Sequence, residues 1–512
     1  MFRVCLLLIV TLCPICVPSL STAADGSTDR WSLTLTYSPE LRSEPFTGRV
    51  LLFFTAVSSP ESQLPEPRFG PNWFASQPMV SLDVENWKPD TPFTFSLDTP
   101  GVRCFPDTLK DSDLTGRKVQ AVVRFNPDDP VVGNGVGNAF SPVEPLEMPG
   151  DVFLPVTTLV PEEVFPEGAW SRLLKVRSSL LSEFHGKEVF LQGAVTVPAG
   201  YDSHPDKRYP VILEVPGFGG THFYRLARRA PPAEINSLNV EFIRVMLDPR
   251  CPLGHHVFAN SANNGPYGDA FVQEFLPELD RTYRTAGSQG RFLTGHSSGG
   301  WSTLWLQTTY PEEFAGTWST APDPVDFRDF QQVNLYRPGE NLFVDSSGHN
   351  RPLARLRGVP VVDYVNFSRM EDVLGTGGQL CSFDAVFSPR GADGHPVRMW
   401  NHETGEIDSG VSQYWGTHYD IRRKLEENWP DLQPKLQGKL RVFMGLEDTF
   451  YLEGSTILLK ESLEKLGSDA VVELFPGRHH GNLVDSELRA RIEQEMAEKF
   501  VSDMKPSLQN ED

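Results

Sequence analysis

The sequence predicts an α/β architecture, a mostly parallel sheet with helices on both faces, preceded by an all-β sandwich of immunoglobulin-like type. Three observations carry this. Before residue 150, short segments alternate apolar and polar residues between Pro- and Gly-rich loops. Beyond about residue 186, nearly continuous apolar strands alternate with helical patterns, as parallel strands buried on both faces require. The composition, 39% apolar and 22% charged over 512 residues, is globular and supplies two or three domains.

Residues 1–24 come first in this scheme. They carry one early cation, Arg3, then an apolar run broken by Pro14 and Pro18, then the small residues Ser21 to Ala24. That is the layout of a secretory signal peptide cleaved near Ala23 or Ala24, and the run is too short and too interrupted for a membrane anchor. No later stretch is long and apolar enough to span a bilayer, so the expected location is secreted or periplasmic. Loss of the signal removes Cys5, Cys13 and Cys16 and leaves Cys104, Cys251 and Cys381. In an exported protein Cys251–Cys381 is the expected pair if both lie in one domain, and the odd count leaves one thiol over.

Residues 30–150 form the sandwich. "RWSLTLTY" puts Trp31, Leu33, Leu35 and Tyr37 on one face; "FTFSL" does so with Phe93, Phe95 and Leu97, and "KVQAVVRF" with Val119, Ala121, Val123 and Phe125. No chemistry is visible in this region, which reads as a structural or positioning module; targeting to polysaccharide is the alternative. Residues 151–186 read as a linker with a helix, from the spacing of Leu173, Val176, Leu180 and Leu181. The second domain spans 187–505. Its strands are "KEVFLQGAVTVP", "YPVILEVPG", "VEFIRVMLDP", "GRFLTG", "AGTWSTAP", "KLRVFMG" and "AVVELFPG". Its helices include "PYGDAFVQEFLPELDRTYR", "GWSTLWLQTTY", "STILLKESLEKLG" with Ser455 as N-cap, and a closing "SELRARIEQEMAEKFVSDM".

One strand-to-helix turn carries the chemistry. Gly295-His296-Ser297-Ser298-Gly299 has the form G-x-S-x-G, in which a serine on a tight turn takes a strained backbone and flanking glycines remove the clashing Cβ atoms. The register selects Ser297 as nucleophile, because Ser298 would need glycine where His296 stands. Ser298 then supplies a backbone N–H for an oxyanion hole. Upstream, an apolar strand runs into Pro216-Gly217-Phe218-Gly219-Gly220, a turn whose main chain can approach a substrate oxygen. Phe218 is the expected second donor and Gly219 the alternative. The serine needs a base, and the base an orienting acid, in the chain order Ser, acid, His. "FMGLEDTF" offers Asp448, with Glu447 as fallback; Asp323 and Asp326, after an earlier strand, rank second. "FPGRHHGN" offers His480 as base, with His479 as the alternative. Isolated His222, His255, His256 and His418 suit substrate-side or structural roles.

The remaining signals exclude. A net charge of −21 repels polyanions, so nucleic acid is not an expected partner. No Lys-Ser or Lys-Thr follows the glycine-rich turn, and no H-x-x-x-H or cysteine cluster is present, so neither a phosphate loop, a metal nor another cofactor is expected.

At these residues the chain resembles the α/β-hydrolase superfamily, and more narrowly the "putative esterase" family of esterase D and enterochelin-esterase-like enzymes. The resemblance covers about residues 187–503 and rests on "VTVPAGYD", "RYPVILEVPGFGG", "GPYGDAFVQEFLPELDRTYR", "LTGHSSGGWSTL", "FMGLEDTF" and "ELFPGRHHGN". It implies a serine hydrolase of carboxylic esters, with Ser297 as nucleophile, His480 as base and acid, and Asp448 orienting it. The substrate would be a small-molecule or polysaccharide-linked ester. A serine peptidase, another acyl hydrolase, or an inactive binding protein on the same fold are the alternatives; composition and spacing say nothing of oligomeric state. One departure stands out. The separation of Ser297 and Asp448 is long, and the excess at about 325–435 is loop-rich and aromatic, the expected position of a lid or cap insertion that shapes the substrate pocket.

Overall fold

The computed structural model describes residues 31–55, 66–147, 150–225 and 235–508. The expected signal peptide at 1–24 lies outside the described residues. The N-terminal region is a two-sheet sandwich. Strands β1 (Trp31–Tyr37), β4 (Phe93–Phe95) and β9 (Gly150–Val156) form one sheet, in which β9 runs parallel to β1. Strands β2 (Phe46–Phe54), β3 (Met79–Trp87), β5 (Arg103–Phe105), β6 (Lys118–Val123), β7 (Ala139–Phe140), β8 (Glu144–Pro145) and β10 (Thr158–Leu159) form the other. The sandwich therefore continues past residue 150, because Trp31 to Tyr37 pair residue for residue with Gly150 to Val156.

An eight-stranded, mostly parallel sheet follows, in the order β11 (Ser171–Ser178), β12 (Val189–Thr196), β14 (Ile243–Leu247), β13 (Val211–Val215), β15 (Arg291–His296), β16 (Gly316–Thr320), β19 (Leu440–Gly445), β20 (Val471–Phe475). Only the β11–β12 and β12–β14 pairs are antiparallel. Both faces are covered, which explains the unbroken apolar runs. Val211, Leu213 and Val215 of β13 face one core while Ile212 faces the other, and Leu293 and Phe292 of β15 divide in the same way.

Three expectations are corrected here. Of the expected linker at 151–186, residues up to Leu159 belong to the sandwich, and Ser171–Ser178 forms the first strand of this sheet, followed by helix α1 (Ser179–His185), so the second domain begins at Ser171. Leu174 and Val176 alternate inward on β11; the spacing of Leu173 and Val176 mimics a helical turn, and pairing with β12 along its whole length overrides it. Ser455 is not an N-cap: it lies inside helix α8 (Glu453–Lys465), where its hydroxyl donates to the Leu452 carbonyl at 3.0 Å in the first turn. No Cys251–Cys381 bridge forms. All three cysteines are free; Cys251 is buried in the core under the sheet, whereas Cys381 Sγ faces the Gly375 carbonyl at 3.9 Å.

The insertion between β16 and β19 contains a hairpin, β17 (Pro352–Leu356) and β18 (Val359–Asp363), and helices α4 (Tyr364–Leu374), α5 (Gln379–Phe387), α6 (Ser409–His418) and α7 (Ile421–Leu436). It shares one core with both domains. Leu51 and Phe53 of β2, Met79 of β3 and Val122 of β6 point away from the sandwich interior into the same cluster as Phe367, Met370 and Val373 of α4 and Trp301 and Trp305 of the central helix α3 (Ser298–Thr309). Strand β2 is thus buried on both faces, Val50, Leu52 and Phe54 lying inside the sandwich. Each such side chain contributes about 1.5–3 kcal/mol of burial. The two domains are one packing unit through the insertion. Replacement of Phe53, fully buried in the shared cluster, by Ala is expected to cost about 3–5 kcal/mol. Calorimetry should show a single unfolding transition moved to lower temperature; an unshifted second transition from the α/β domain would refute the shared core.

Candidate active site

The site grows from the end of β15. His296 closes the strand, Ser298 opens α3, and Ser297 between them takes φ 61° and ψ −127°. A non-glycine residue there carries a strain of about 1–3 kcal/mol that its surroundings must enforce. The glycines make the enforcement possible. A Cβ at Gly295 would meet the Gly299 carbonyl oxygen at 2.2 Å, and one at Gly299 the Val215 oxygen at 2.0 Å. Hydrogen bonds fix the turn from both sides: Ser297 N–H donates to Thr320 O at 3.1 Å, and Asp323 N–H to Ser297 O at 3.3 Å.

The glycine-rich turn after β13 lies against this serine. A Cβ on Gly217 would sit 3.2 Å from Ser297 Cβ. Gly220 N–H closes the turn on the Gly217 carbonyl at 3.0 Å, and His255 braces it from below. His255 Nδ1 accepts the Val257 amide at 3.0 Å, so Nε2 carries the proton and donates to Pro216 O at 3.2 Å. Phe218 lines the cavity beside Ser297 and His480. Gly219 takes φ 78° on the exposed outer side of the turn. The Ser298 amide belongs to the first turn of α3, where N–H groups lack intrahelical partners.

Asp448 follows β19 and is fully buried; His480 follows β20. His480 Nδ1 and Asp448 Oδ2 are 2.8 Å apart, so the carboxylate fixes the proton on Nδ1 and leaves Nε2 as an acceptor. The other Asp448 oxygen accepts the Phe450 amide at 2.8 Å, and Arg355 Nε donates to the Asp448 carbonyl at 2.9 Å. Burial disfavours the His480 imidazolium, but the charge and hydrogen bond of Asp448 outweigh it and hold the imidazole above its usual range. His296, its ring 4.4 Å from that of His480, is pushed down to about 3 by burial and by the His480 charge, and so stays neutral.

The alternatives separate cleanly. His479 is exposed, and its Nδ1 accepts the Gly481 amide at 3.2 Å. Glu447 is exposed while its neighbour is buried. Asp326 is committed to Arg328 and Arg422, at 2.6 and 3.2 Å. Asp323 comes to the serines, not to the histidine: its Oδ2 accepts Ser298 Oγ at 2.5 Å and its Oδ1 accepts Ser297 Oγ at 3.4 Å. Burial pushes Asp323 up to about 6 against the opposing Ser298 hydrogen bond and His480 charge. His222 pairs with Asp248 at 2.8 Å, His256 stacks on Tyr267 at 3.7 Å, and His418 lies on α6 against the Tyr414 carbonyl at 2.8 Å, so these are structural. Among the described residues, no group of His, Cys, Asp and Glu could hold a metal ion, and no helix is long and apolar enough to cross a membrane.

Ser297, Asp323 and His480 open into one cavity of about 750 Å³. Its apolar wall comes from three parts of the chain: Phe218 from the glycine turn, Phe367, Leu380 and Phe383 from the insertion, and Trp73 from the sandwich. Trp73 is the hub. Its ring centroid lies 5.7 Å from Phe218, 5.1 Å from Phe367 and 6.4 Å from Phe450, and Phe450 stands edge-on to His480 at 4.9 Å. Motif spacing gave no sign of Trp73, Phe450 or Gln379, whose side chain donates to Ser298 Oγ at 3.3 Å.

The family model described as "Putative esterase" matches residues 191–439, just under half of the chain. No curated protein matches. Among solved structures, a ferulic acid esterase from Anaeromyces mucronatus in complex with ferulic acid is 14% identical at a TM-score of 0.33, covering 64% of this chain and 89% of that one. An S-formylglutathione hydrolase from Agrobacterium tumefaciens is 14% identical at 0.35, covering 67% and 97%. A dipeptidyl peptidase 4 from Porphyromonas gingivalis is 13% identical at 0.37, covering 83% and 48%.

The site electrostatics give a direct check. Asp448→Asn removes the anion that offsets burial, so the His480 titration midpoint, followed by the imidazole proton resonances, is expected to fall. An unchanged midpoint would mean that Asp448 does not set the charge state of His480.

Proposed function

From the match of residues 191–439 to the family model described as "Putative esterase", we propose a serine esterase that works through an acyl-enzyme on Ser297. The observation that carries this reading is the buried 2.8 Å Asp448–His480 pair opening into the same cavity as a serine held at positive φ. In the proposed reaction Ser297 Oγ attacks the ester carbonyl while His480 Nε2 takes its proton. The carbonyl oxygen becomes an oxyanion, held by the backbone N–H groups of Ser298 and Phe218. The tetrahedral adduct collapses, the C–O bond to the alcohol breaks, and His480 returns the proton to the departing oxygen. Water then repeats the sequence on the acyl-serine and releases the acid. Asp448 holds the imidazole in the required tautomer and balances the imidazolium.

The wall of Trp73, Phe218, Phe367, Phe383 and Leu380 favours an ester with a bulky apolar or aromatic group. Residues 1–24 support export to the periplasm or the medium; Edman sequencing of the mature protein should begin close to Ala24, and an intact Met1 would overturn export by that signal.

A fluorophosphonate probe tests the nucleophile. Wild type should label, and Ser297→Ala should neither label nor cleave any ester in a panel of short-chain, long-chain, aromatic and acetylated-sugar substrates. Equal labelling of Ser297→Ala would exclude this mechanism, and cleavage of peptide but not ester substrates would reassign the chain as a peptidase. Trp73→Ala removes one wall of the apolar pocket. It should raise KM for aromatic esters by roughly 10-fold, a cost typical of a lost apolar contact, and leave an acetyl ester little affected. Equal loss on both would place Trp73 outside substrate recognition.

A further inference from the structure

We propose that the joint between the sandwich and the insertion contains an oxyanion-binding site, separate from the ester cavity, for a sulfate, phosphate or carboxylate group. Five arginines, Arg42, Arg49, Arg103, Arg124 and Arg398, line a cavity of about 720 Å³ there. In a chain of net charge −21 such a concentration of one sign is not the average surface.

The arginines are brought together by strand register. Arg49 lies within β2 and Arg124 directly follows its neighbour β6, and Arg124 N–H donates to the Arg49 carbonyl at 3.0 Å. Their guanidinium groups converge on Gly375. A Cβ there would lie 3.0 Å from Arg49 Nη1 and 3.4 Å from Arg124 Nη1. Part of this charge has a structural use. Arg49 Nη1 donates to the Asp372 carbonyl and Arg124 Nη1 to the Thr376 carbonyl, both at 2.9 Å, where the end of α4 attracts cations. Asp83 pairs with Arg49 and Arg103, each at 2.8 Å, and Asp372 pairs with Arg398 and His402 at 3.2 and 2.9 Å.

Two cations remain unmatched. Arg124 is only 7% exposed, has no carboxylate partner among the described residues, and its buried Nε reaches no acceptor. The nearby Asp129 uses its two oxygens on the amides of Val131 and Val136. Arg42 lies 5.8 Å from the Phe46 ring and 5.5 Å from the Phe125 ring, and its buried Nε is likewise unpartnered. Glu371 and Glu403 also line the cavity; Glu371 accepts the amides of Leu380 and Cys381 and is pushed up to about 7 by burial, while Glu403 makes no ion pair among the described residues. Buried like charges repel, and a buried donor without an acceptor is costly. An oxyanion accepting from Arg42 and Arg124 answers both, and planar guanidinium groups match oxyanion geometry. The half-exposed Arg103 and Arg398 leave the mouth open to solvent.

Thermal unfolding of the full chain tests this, with sodium sulfate, sodium phosphate or a monosaccharide sulfate titrated against sodium chloride at matched ionic strength. Wild type should show a saturable rise in Tm that chloride does not reproduce. A double variant, Arg42→Gln with Arg398→Gln, should bind about tenfold more weakly or worse, as expected for lost charge-assisted bonds. Among the described residues Arg42 makes no bond to α4, and Arg398 makes only a solvent-exposed 3.2 Å ion pair with Asp372 there, so ester cleavage by the variant should be unchanged and reports that it is folded. Tighter binding of the sugar sulfate than of inorganic sulfate identifies a group carried on a larger molecule; equal binding identifies a free ion. A wild-type rise that chloride matches, or one the double variant retains, overturns the proposal.

Discussion

Everything in the α/β domain is organised around the space that three glycines leave open. The turn from β15 into α3 comes so close to β13 and β16 that Gly295, Gly299 and Gly300 could not carry a Cβ without meeting a carbonyl oxygen at 2.2, 2.0 and 2.7 Å. That approach holds Ser297 at positive φ at the head of α3, where the first amides have no intrahelical partner. The helix it starts is buried over nearly its whole length, since the sheet, the insertion and α7 surround it. A strained turn of this kind persists only where packing over-determines it. The insertion and the sandwich supply much of that packing through Trp301, Trp305 and the cluster around them.

This gives the sandwich a role that a detached module would not have. Its second sheet presents apolar side chains outward as well as inward, and α4 of the insertion covers the outward ones. Helix α4 carries Phe367 into the cavity of Ser297 and His480, while the loop before β3 carries Trp73 there. Trp73 touches the glycine turn, the insertion and the Phe450 ring that stands against His480. A shift of the sandwich relative to the insertion would therefore be felt at the histidine through two aromatic contacts. The arginine cavity lies at the same joint, against the far end of α4.

Legibility in the sequence followed the range of the interaction. Glycine spacing around Ser297 and the strand–loop positions of Asp448 and His480 are local signals, and the structure brings Ser297 and His480 to one cavity with Asp448 buried against the histidine. The choice between His479 and His480 rested on a one-residue difference in loop register; burial and the carboxylate partner distinguish them only in three dimensions. Strand β11 was misread because eight residues hold too few periods to tell an alternating pattern from a helical one. The run Val50 to Phe54 held a signal that went unused: five consecutive buried apolar residues mean a strand covered on both faces, unlike the alternating β1. Nothing local could have assigned Trp73 to the site, because its partners lie more than a hundred residues away.

The position of Asp323 bears on how the nucleophile rests before substrate arrives. An ionised carboxylate only accepts hydrogen bonds, so the Ser297 hydroxyl points its proton at Asp323, and over a long 3.4 Å. Ser298 holds the same carboxylate far more tightly, at 2.5 Å, and in turn accepts from Gln379 of the insertion. Asp323 is thus anchored by Ser298 and only lightly engaged with Ser297. In the proposed reaction the serine proton must turn from Asp323 to His480 Nε2, and the weakness of the bond it leaves makes that rotation inexpensive. Asp448, on the opposite side of the imidazole, holds the proton of the neutral ring on Nδ1, which leaves Nε2 as the acceptor. Two buried carboxylates therefore divide the work: one fixes the base, and the other holds the elbow to the insertion while giving the resting hydroxyl a partner it can readily abandon.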